Sequence, residues 1–317
     1  MKTLRFAVIL LMILNVHLAL AQNPRSAEDY NNRGLERQSK GDLDGAIEDY
    51  TKAISLKGPP ITIATAYNNR ANALLSKNDI DGAIADYTKA IELQPNNFEN
   101  YYNRGVASMT KGDFDGAVSD FSKSLEISPQ FAPALNNRGN AKKSKRDVDG
   151  AISDYDKAIS FRPKYTEAYY NRGTAYQNKG NLEAAIRDYS EALNLAPKFV
   201  DAYINRGQAR QAQRNFVAAI ADYDRAIELM PDAGIYYARA TARQAHEDFN
   251  GALEDYSRAI EMNPRLAQAY ANRGVIETLQ GRKKEALDDF ERAFLIDPSL
   301  RATFKSFIEN RLGKKAP

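Results

Sequence analysis

The sequence predicts an all-α fold made of stacked helix pairs, and three observations carry that prediction. A four-residue block recurs eight times: NNRG (31–34), NNRA (68–71), YNRG (102–105), NNRG (136–139), YNRG (170–173), INRG (204–207), YARA (237–240) and ANRG (271–274). Its arginines fall at 33, 70, 104, 138, 172, 206, 239 and 273, a near-constant step of 34 residues. A fixed period of that size marks an array of small supersecondary units, each burying its apolar face on its neighbours. Between blocks, apolar residues recur at helical spacing and a proline closes each copy.

Counting so that the last residue of the block is position eight, each element of the unit can be justified in turn. Positions one to fourteen hold no proline except Pro133 and read as a first helix, A. Position four is aromatic in seven copies, with Leu135 in the other. Gly or Asn at position fifteen (Gly41, Asn78, Gly112, Gly180, Gly281) suits a left-handed turn. Asp42, Asp79, Asp113 and Asp147 follow, placed to cap a second helix, B. Helix B carries alanine at position twenty in every copy and Tyr or Phe at twenty-four. Proline at thirty-two ends it in the last seven copies, from Pro95 to Pro298. Small residues at eight and twenty let the two helices approach closely. The first junction, 58–63, has three extra residues and the sixth, 231–234, is one residue short, so local kinks are expected at both.

This pattern resembles the tetratricopeptide repeat over roughly residues 27–300. The resemblance implies helix pairs stacked into a right-handed superhelix with a concave groove. The expected repeats run 27–63, 64–97, 98–131, 132–165, 166–199, 200–232, 233–266 and 267–300. Residues 299–317 should add a capping helix and a short tail that cover the open end. The family's usual leucine at position seven is arginine here.

Arginine at seven and aspartate at twenty-three (Asp49, Asp86, Asp120, Asp154, Asp188, Asp222, Asp255, Asp289) occur in all eight copies. Both lie three or four residues from core positions on their own helices, so they lean toward packed faces. Charged groups on such faces are expected to pair, which assigns the arginine to the fold. Position six lies about 200° round the helix from position four, away from the core. It is Asn32, Asn69, Asn103, Asn137, Asn171, Asn205 and Asn272, with Ala238 the exception. A carboxamide offers a donor and an acceptor and so matches a peptide backbone. The resemblance supplies a precedent, since the repeats of O-linked N-acetylglucosamine transferases carry an asparagine ladder at this position that holds extended polypeptide. The alternative reading is that these amides bond the neighbouring helix. Tyr102, Tyr170 and Tyr237 at position five, with amides at nine and twelve (Asn72, Asn140, Gln208, Gln38, Gln177, Gln211, Gln244), complete a neutral face on which Lys143 is the lone cation.

The first 21 residues read as an export leader: Lys2 and Arg5, the apolar run 6–14, then Ala19-Leu20-Ala21, with cleavage expected after Ala21. Retention as an amino-terminal anchor is the alternative. The leader holds two of the 44 basic residues and none of the 41 acidic ones, so 42 face 41 after cleavage, a net charge of +1. Nucleic acid and anionic membrane therefore lose support as partners. No stable membrane span is expected once the leader is gone. The apolar run is shorter than the about 20 residues a spanning helix needs. With no cysteine and only His246 after the leader, no metal, cofactor or nucleophile constellation can be assembled, and no enzyme activity is expected. No copy has lysine at position two or at position five, so the family's lysine clamp for acidic carboxyl termini is not expected here. The expected function is a periplasmic or secreted scaffold that binds protein or peptide segments in the groove. A structural subunit of an envelope complex and a carbohydrate or small-ligand receptor are the alternatives.

Overall fold

The computed structural model describes residues 24–313. The expected leader and its cleavage site, and the last residues of the expected tail (314–317), lie outside the described residues. The chain forms two compact units, one running to Phe161 and one starting at Arg162. Unit one holds α1 (Ala27–Ser39), α2 (Leu43–Ser55), α3 (Pro60–Ser76), α4 (Ile80–Leu93), α5 (Phe98–Lys111), α6 (Phe114–Ile127), α7 (Ala132–Ser144) and α8 (Val148–Phe161). Unit two holds α9 (Thr166–Asn178), α10 (Leu182–Leu195), α11 (Val200–Ala212), α12 (Phe216–Leu229), α13 (Ala233–Ala245), α14 (Phe249–Met262), α15 (Ala267–Leu279), α16 (Lys283–Ile296) and α17 (Leu300–Leu312). Every described element is helical. Odd-numbered helices up to α15 are A helices, and each packs on the B helix that follows it.

The turn inside each pair has one geometry. Position fifteen takes a positive φ in all eight pairs, at Gly41, Gly112, Gly180 and Gly281 but also at Asn78, Arg146, Arg214 and Glu247. The next residue caps helix B in seven pairs. The side chain of Asp42, for example, accepts from the Gly45 N–H at 2.9 Å, and Asn181 accepts from Ala184 at 3.1 Å. Arg282 occupies this site before α16 and makes no side-chain cap.

The aromatic ring at twenty-four is the centre of each pair. Tyr50, Tyr87, Phe121, Tyr155, Tyr189, Tyr223, Tyr256 and Phe290 are all shut off from solvent. The ring explains the glycine at eight: a Cβ on Gly139 would sit 2.6 Å from Cε1 of Tyr155. That distance is far inside van der Waals contact, so the ring would have to move.

Arginine seven closes the pair from the other side with a two-pronged bond to aspartate twenty-three. Arg70 Nε donates to Asp86 Oδ2 at 2.7 Å and its Nη2 to Oδ1 at 2.8 Å, and the same fork joins Arg104 to Asp120 and Arg138 to Asp154. In unit two it joins Arg172 to Asp188, Arg239 to Asp255 and Arg273 to Asp289. Wherever position four is tyrosine, the guanidinium also stands over its ring, 5.3–5.9 Å from the centroid. The third nitrogen reaches back to position twenty-five of the preceding pair: Arg70 to Thr51, Arg104 to Thr88, Arg138 to Ser122, Arg206 to Ser190 and Arg273 to Ser257. One side chain thus ties two helices of its own pair and the pair before.

The three extra residues of the first junction are absorbed as an added first turn of α3, which is 17 residues long and has Pro60 in that turn. At the short sixth junction Asp232 caps α13 by accepting from the Gly234 N–H at 2.7 Å. Helix α17 lays Ile308 and Leu312 against Phe290 and Phe294, covering the apolar end of α16.

Candidate functional site

The candidate site is the face of the A helices that carries position six. Asn32 is exposed there, and Asn69, Asn103, Asn137, Asn171, Asn205 and Asn272 are half-buried. Five of these amides donate to position five of the preceding pair. In unit one, Asn69 Nδ2 donates to Asn31 Oδ1 (2.9 Å), Asn103 to Asn68 (3.4 Å) and Asn137 to the Tyr102 hydroxyl (3.1 Å). In unit two, Asn205 donates to the Tyr170 hydroxyl (2.9 Å) and Asn272 to that of Tyr237 (3.2 Å). The amides therefore stitch neighbouring A helices together. Nδ2 carries two hydrogens, so each of these five stitches uses only one of them and leaves Oδ1 to other partners. At Asn137 the oxygen also accepts from Asn136 at 3.2 Å.

The single departure obeys the same rule. Ala238 follows Ile204, a position-five side chain with nothing to accept a hydrogen bond, and the two sit in one apolar cluster instead.

Tyr102, Tyr170 and Tyr237 are half-buried seam residues rather than projecting anchors. Their rings lie 5.8 Å from Phe121, Tyr189 and Tyr256 respectively. Burial raises the pKa of all three phenols, and in each the bond from the asparagine works the other way.

All of the amides at nine and twelve but Gln208 have a structural task that the sequence alone did not reveal. They accept from the buried hydroxyl at twenty-four: Tyr50 to Gln38 (2.8 Å), Tyr87 to Asn72 (2.5 Å), Tyr155 to Asn140 (2.7 Å), Tyr189 to Gln177 (2.7 Å), Tyr223 to Gln211 (3.1 Å) and Tyr256 to Gln244 (2.6 Å). Burial pushes Tyr50 and Tyr189 up to about 12. The signal was present in the chain. Where twenty-four is Phe121 or Phe290, positions nine and twelve are Val106 and Met109, or Val275 and Thr278. Lys143 is half-buried on the same face, and burial lowers its pKa.

A second charge pattern sits at position eleven, against the aspartates. Arg37, Lys142, Arg210 and Arg243 add a further cation to Asp49, Asp154, Asp222 and Asp255 at 2.7–3.2 Å. In the last pair this site is Glu277, which is 6 % exposed. Its Oε2 is buried without a hydrogen-bond partner, and the nearest cation, Arg282, stands 3.9 Å from Oε1. Burial first, then the neighbouring Asp289, raises the Glu277 pKa to about 7, while Arg273 and Arg282 oppose the shift.

Among the described residues no cluster of three or more His, Cys, Asp or Glu side chains is placed to hold a metal. No described helix is long and apolar enough to cross a membrane.

No curated protein sequence matches the chain. Solved structures do. A tetratricopeptide repeat protein from Parabacteroides merdae superposes with a TM-score of 0.59 at 21% identity, over 83% of this chain and all of that one. The carboxy-terminal part of a TPR repeat-containing protein from Cytophaga hutchinsonii gives 0.63 at 21% identity, over 72% and 94%. YrrB, described as a TPR protein with an unusual peptide-binding site, gives 0.51 at 26% identity, over 63% and 99%. Tetratricopeptide repeat profiles match residues 28–59 and 98–131, 166–199 and 200–232, and 237–299, and a TPR repeat profile matches 71–112 and 143–180. With its helix pairs, its period and these matches in agreement, the chain belongs to the tetratricopeptide repeat family.

Proposed function

We propose that this protein is a protein-interaction scaffold that holds extended or helical segments of partner proteins along the position-six face of its A helices. The row of half-buried carboxamides carries this reading. The stitch of Asn69, Asn103, Asn137, Asn205 and Asn272 uses one of the two Nδ2 hydrogens, and most of these five also keep Oδ1, so a guest backbone can be met by donor and acceptor together. Because the stitch fixes the amide's orientation, little side-chain freedom is lost when a guest binds. Each such bond contributes about 0.5–1.5 kcal/mol, so several rungs must act together. The peptide-binding site ascribed to YrrB supports the same use of the fold.

The compartment belongs to the same proposal. The leader pattern of residues 1–21 favours an exported, periplasmic or secreted scaffold. The carbohydrate reading loses support, because the amides at nine and twelve that it relied on already serve buried tyrosines.

A peptide array tests the proposal, with wild type compared against Asn103→Ala/Asn137→Ala. We expect captured peptides to be lost or weakened at least tenfold, with little dependence on their sequence. Binding that ignores the double substitution removes the asparagine row from the function.

A further inference from the structure

Of the seams between neighbouring A helices of unit two, one lacks both the position-five ring and the amide that bonds it. Between α9 and α11, the Tyr170 ring lies 5.8 Å from Tyr189 and 4.8 Å from Phe199, and its hydroxyl accepts from Asn205. The same triad occurs in unit one, where Tyr102 meets Phe121 at 5.8 Å and Phe131 at 5.1 Å and accepts from Asn137. Between α11 and α13 the corresponding residues are Ile204, Tyr223, Asp232 and Ala238. Two of the three rings and the amide are missing. The one-residue deletion is the cause at Asp232, whose side chain caps α13 where Phe131 and Phe199 pack.

Ile235 takes up part of the lost volume beside Ile204, at a position that is alanine in most copies. The remainder is an open cavity of about 600 Å³ bordered by Tyr223, Gly234, Ala238, Gln208, Gln211 and Thr241. That size lies within the roughly 300–1,000 Å³ of small-ligand clefts. Tyr223 and Ala238 occupy the two positions that flank the Tyr170 ring one seam earlier, and both border this cavity, which opens beside the seam where that ring is absent.

Its chemistry narrows the guest. No charged side chain lines it. Both ends of the Gln211 amide are engaged, by the Tyr223 hydroxyl and by Thr241, and the Tyr237 hydroxyl accepts from Asn272. A polyol would lose more hydration here than such walls replace, whereas an aromatic ring needs none of it. Ala238 offers no hydrogen bond to a phenol, which favours phenyl. We propose that this cavity is a side-chain pocket for a phenylalanine-type ring on a segment lying across α11 and α13, where the guest restores against Tyr223 the tilted ring contact that Tyr170 makes with Tyr189. Delivery of the ring rests on the scaffold reading above, but the pocket can be probed with the ring alone.

The test is an amide NMR titration of the full chain with N-acetylphenylalaninamide. We expect saturable shifts confined to the amides around Gln208, Ala238 and Thr241, several-fold weaker binding of N-acetylleucinamide, and no shift with N-acetylglucosamine. Ile204→Tyr/Ala238→Asn installs the pair that Tyr170 and Asn205 already form, and should weaken phenyl binding at least tenfold without lowering Tm. Ala238→Leu, which fills the cavity from one wall, should give the same loss if the double variant folds poorly. A failed peptide array alongside these shifts would sink the scaffold reading alone. Absent shifts, binding retained in both filled variants, or equal shifts with N-acetylglucosamine each overturn the pocket.

Discussion

Positions six and seven are neighbours in the chain, yet their side chains do opposite work on one helix. Arginine seven faces inward and holds a buried carboxylate by two charge-assisted bonds, as Arg138 does with Asp154. Asparagine six faces outward and makes one neutral bond across a seam, as Asn137 does with Tyr102. The seventh copy, whose block reads YARA, separates the two. Arg239 keeps its fork to Asp255, while the residue before it has become Ala238. The inner tie has no substitute, because either charge left alone in the interior is costly. The outer tie is dispensable once both partners change together, because matched apolar residues replace a neutral hydrogen bond at little cost.

The largest test of that contrast is Asp154→Ala, which strands Arg138 and Lys142 on a buried face. We expect about 3–5 kcal/mol of destabilisation, read as a large fall in Tm or denaturant midpoint. A loss no greater than that of a surface mutant would remove the distinction between the two sides.

The next test uses the one inner position where the charge is inverted. Glu277 has its pKa raised from 4.5 to about 7, so the folded chain holds a proton there that the unfolded chain has released. Its contribution is complete below pH 4.5 and is lost as pH rises through 7. At about 1.4 kcal/mol per unit, the stability of wild type relative to Glu277→Gln should fall by up to about 3 kcal/mol between pH 4.5 and 8. A stability difference between the two that stays flat with pH would show the carboxylate to be solvated.

The smallest effect is expected on the outer side. Asn103→Ala removes a 3.4 Å bond from a half-buried rung and should cost about 0.5–1 kcal/mol. A loss near that of Asp154→Ala would place the asparagines with the arginines as determinants of the fold.

Much of this was legible in the chain because repetition acts as a control. Arginine and aspartate matched in every copy, which identified the pair before its geometry was known. The eight-fold turn was only half legible. Glycine and asparagine announce a left-handed residue, but Arg146, Arg214 and Glu247 adopt it with side chains that give no such sign. There the pairing of the flanking helices outweighs local preference. The neutral face was misread in a different way. Its amides at nine and twelve look like ligand donors in isolation, and only their exchange for Val106 and Met109 opposite Phe121 reveals the hydroxyl they serve. The long first junction shows the limit of spacing: three added residues became an extra helical turn in α3.

Both stitches run the same way, from a donor in one pair to an acceptor in the pair before it. The array is therefore polar, and its two ends are not equivalent. Trimming pairs from the carboxyl end uncovers hydroxyls such as those of Ser257 and Tyr237, which water satisfies readily. Trimming from the amino end strips guanidinium and amide donors of their acceptors, while the guanidinium stays anchored by its own pair's aspartate, as Arg138 is by Asp154. Shortened versions of equal length should then differ according to which end was removed, with those keeping the amino-terminal pairs the better behaved.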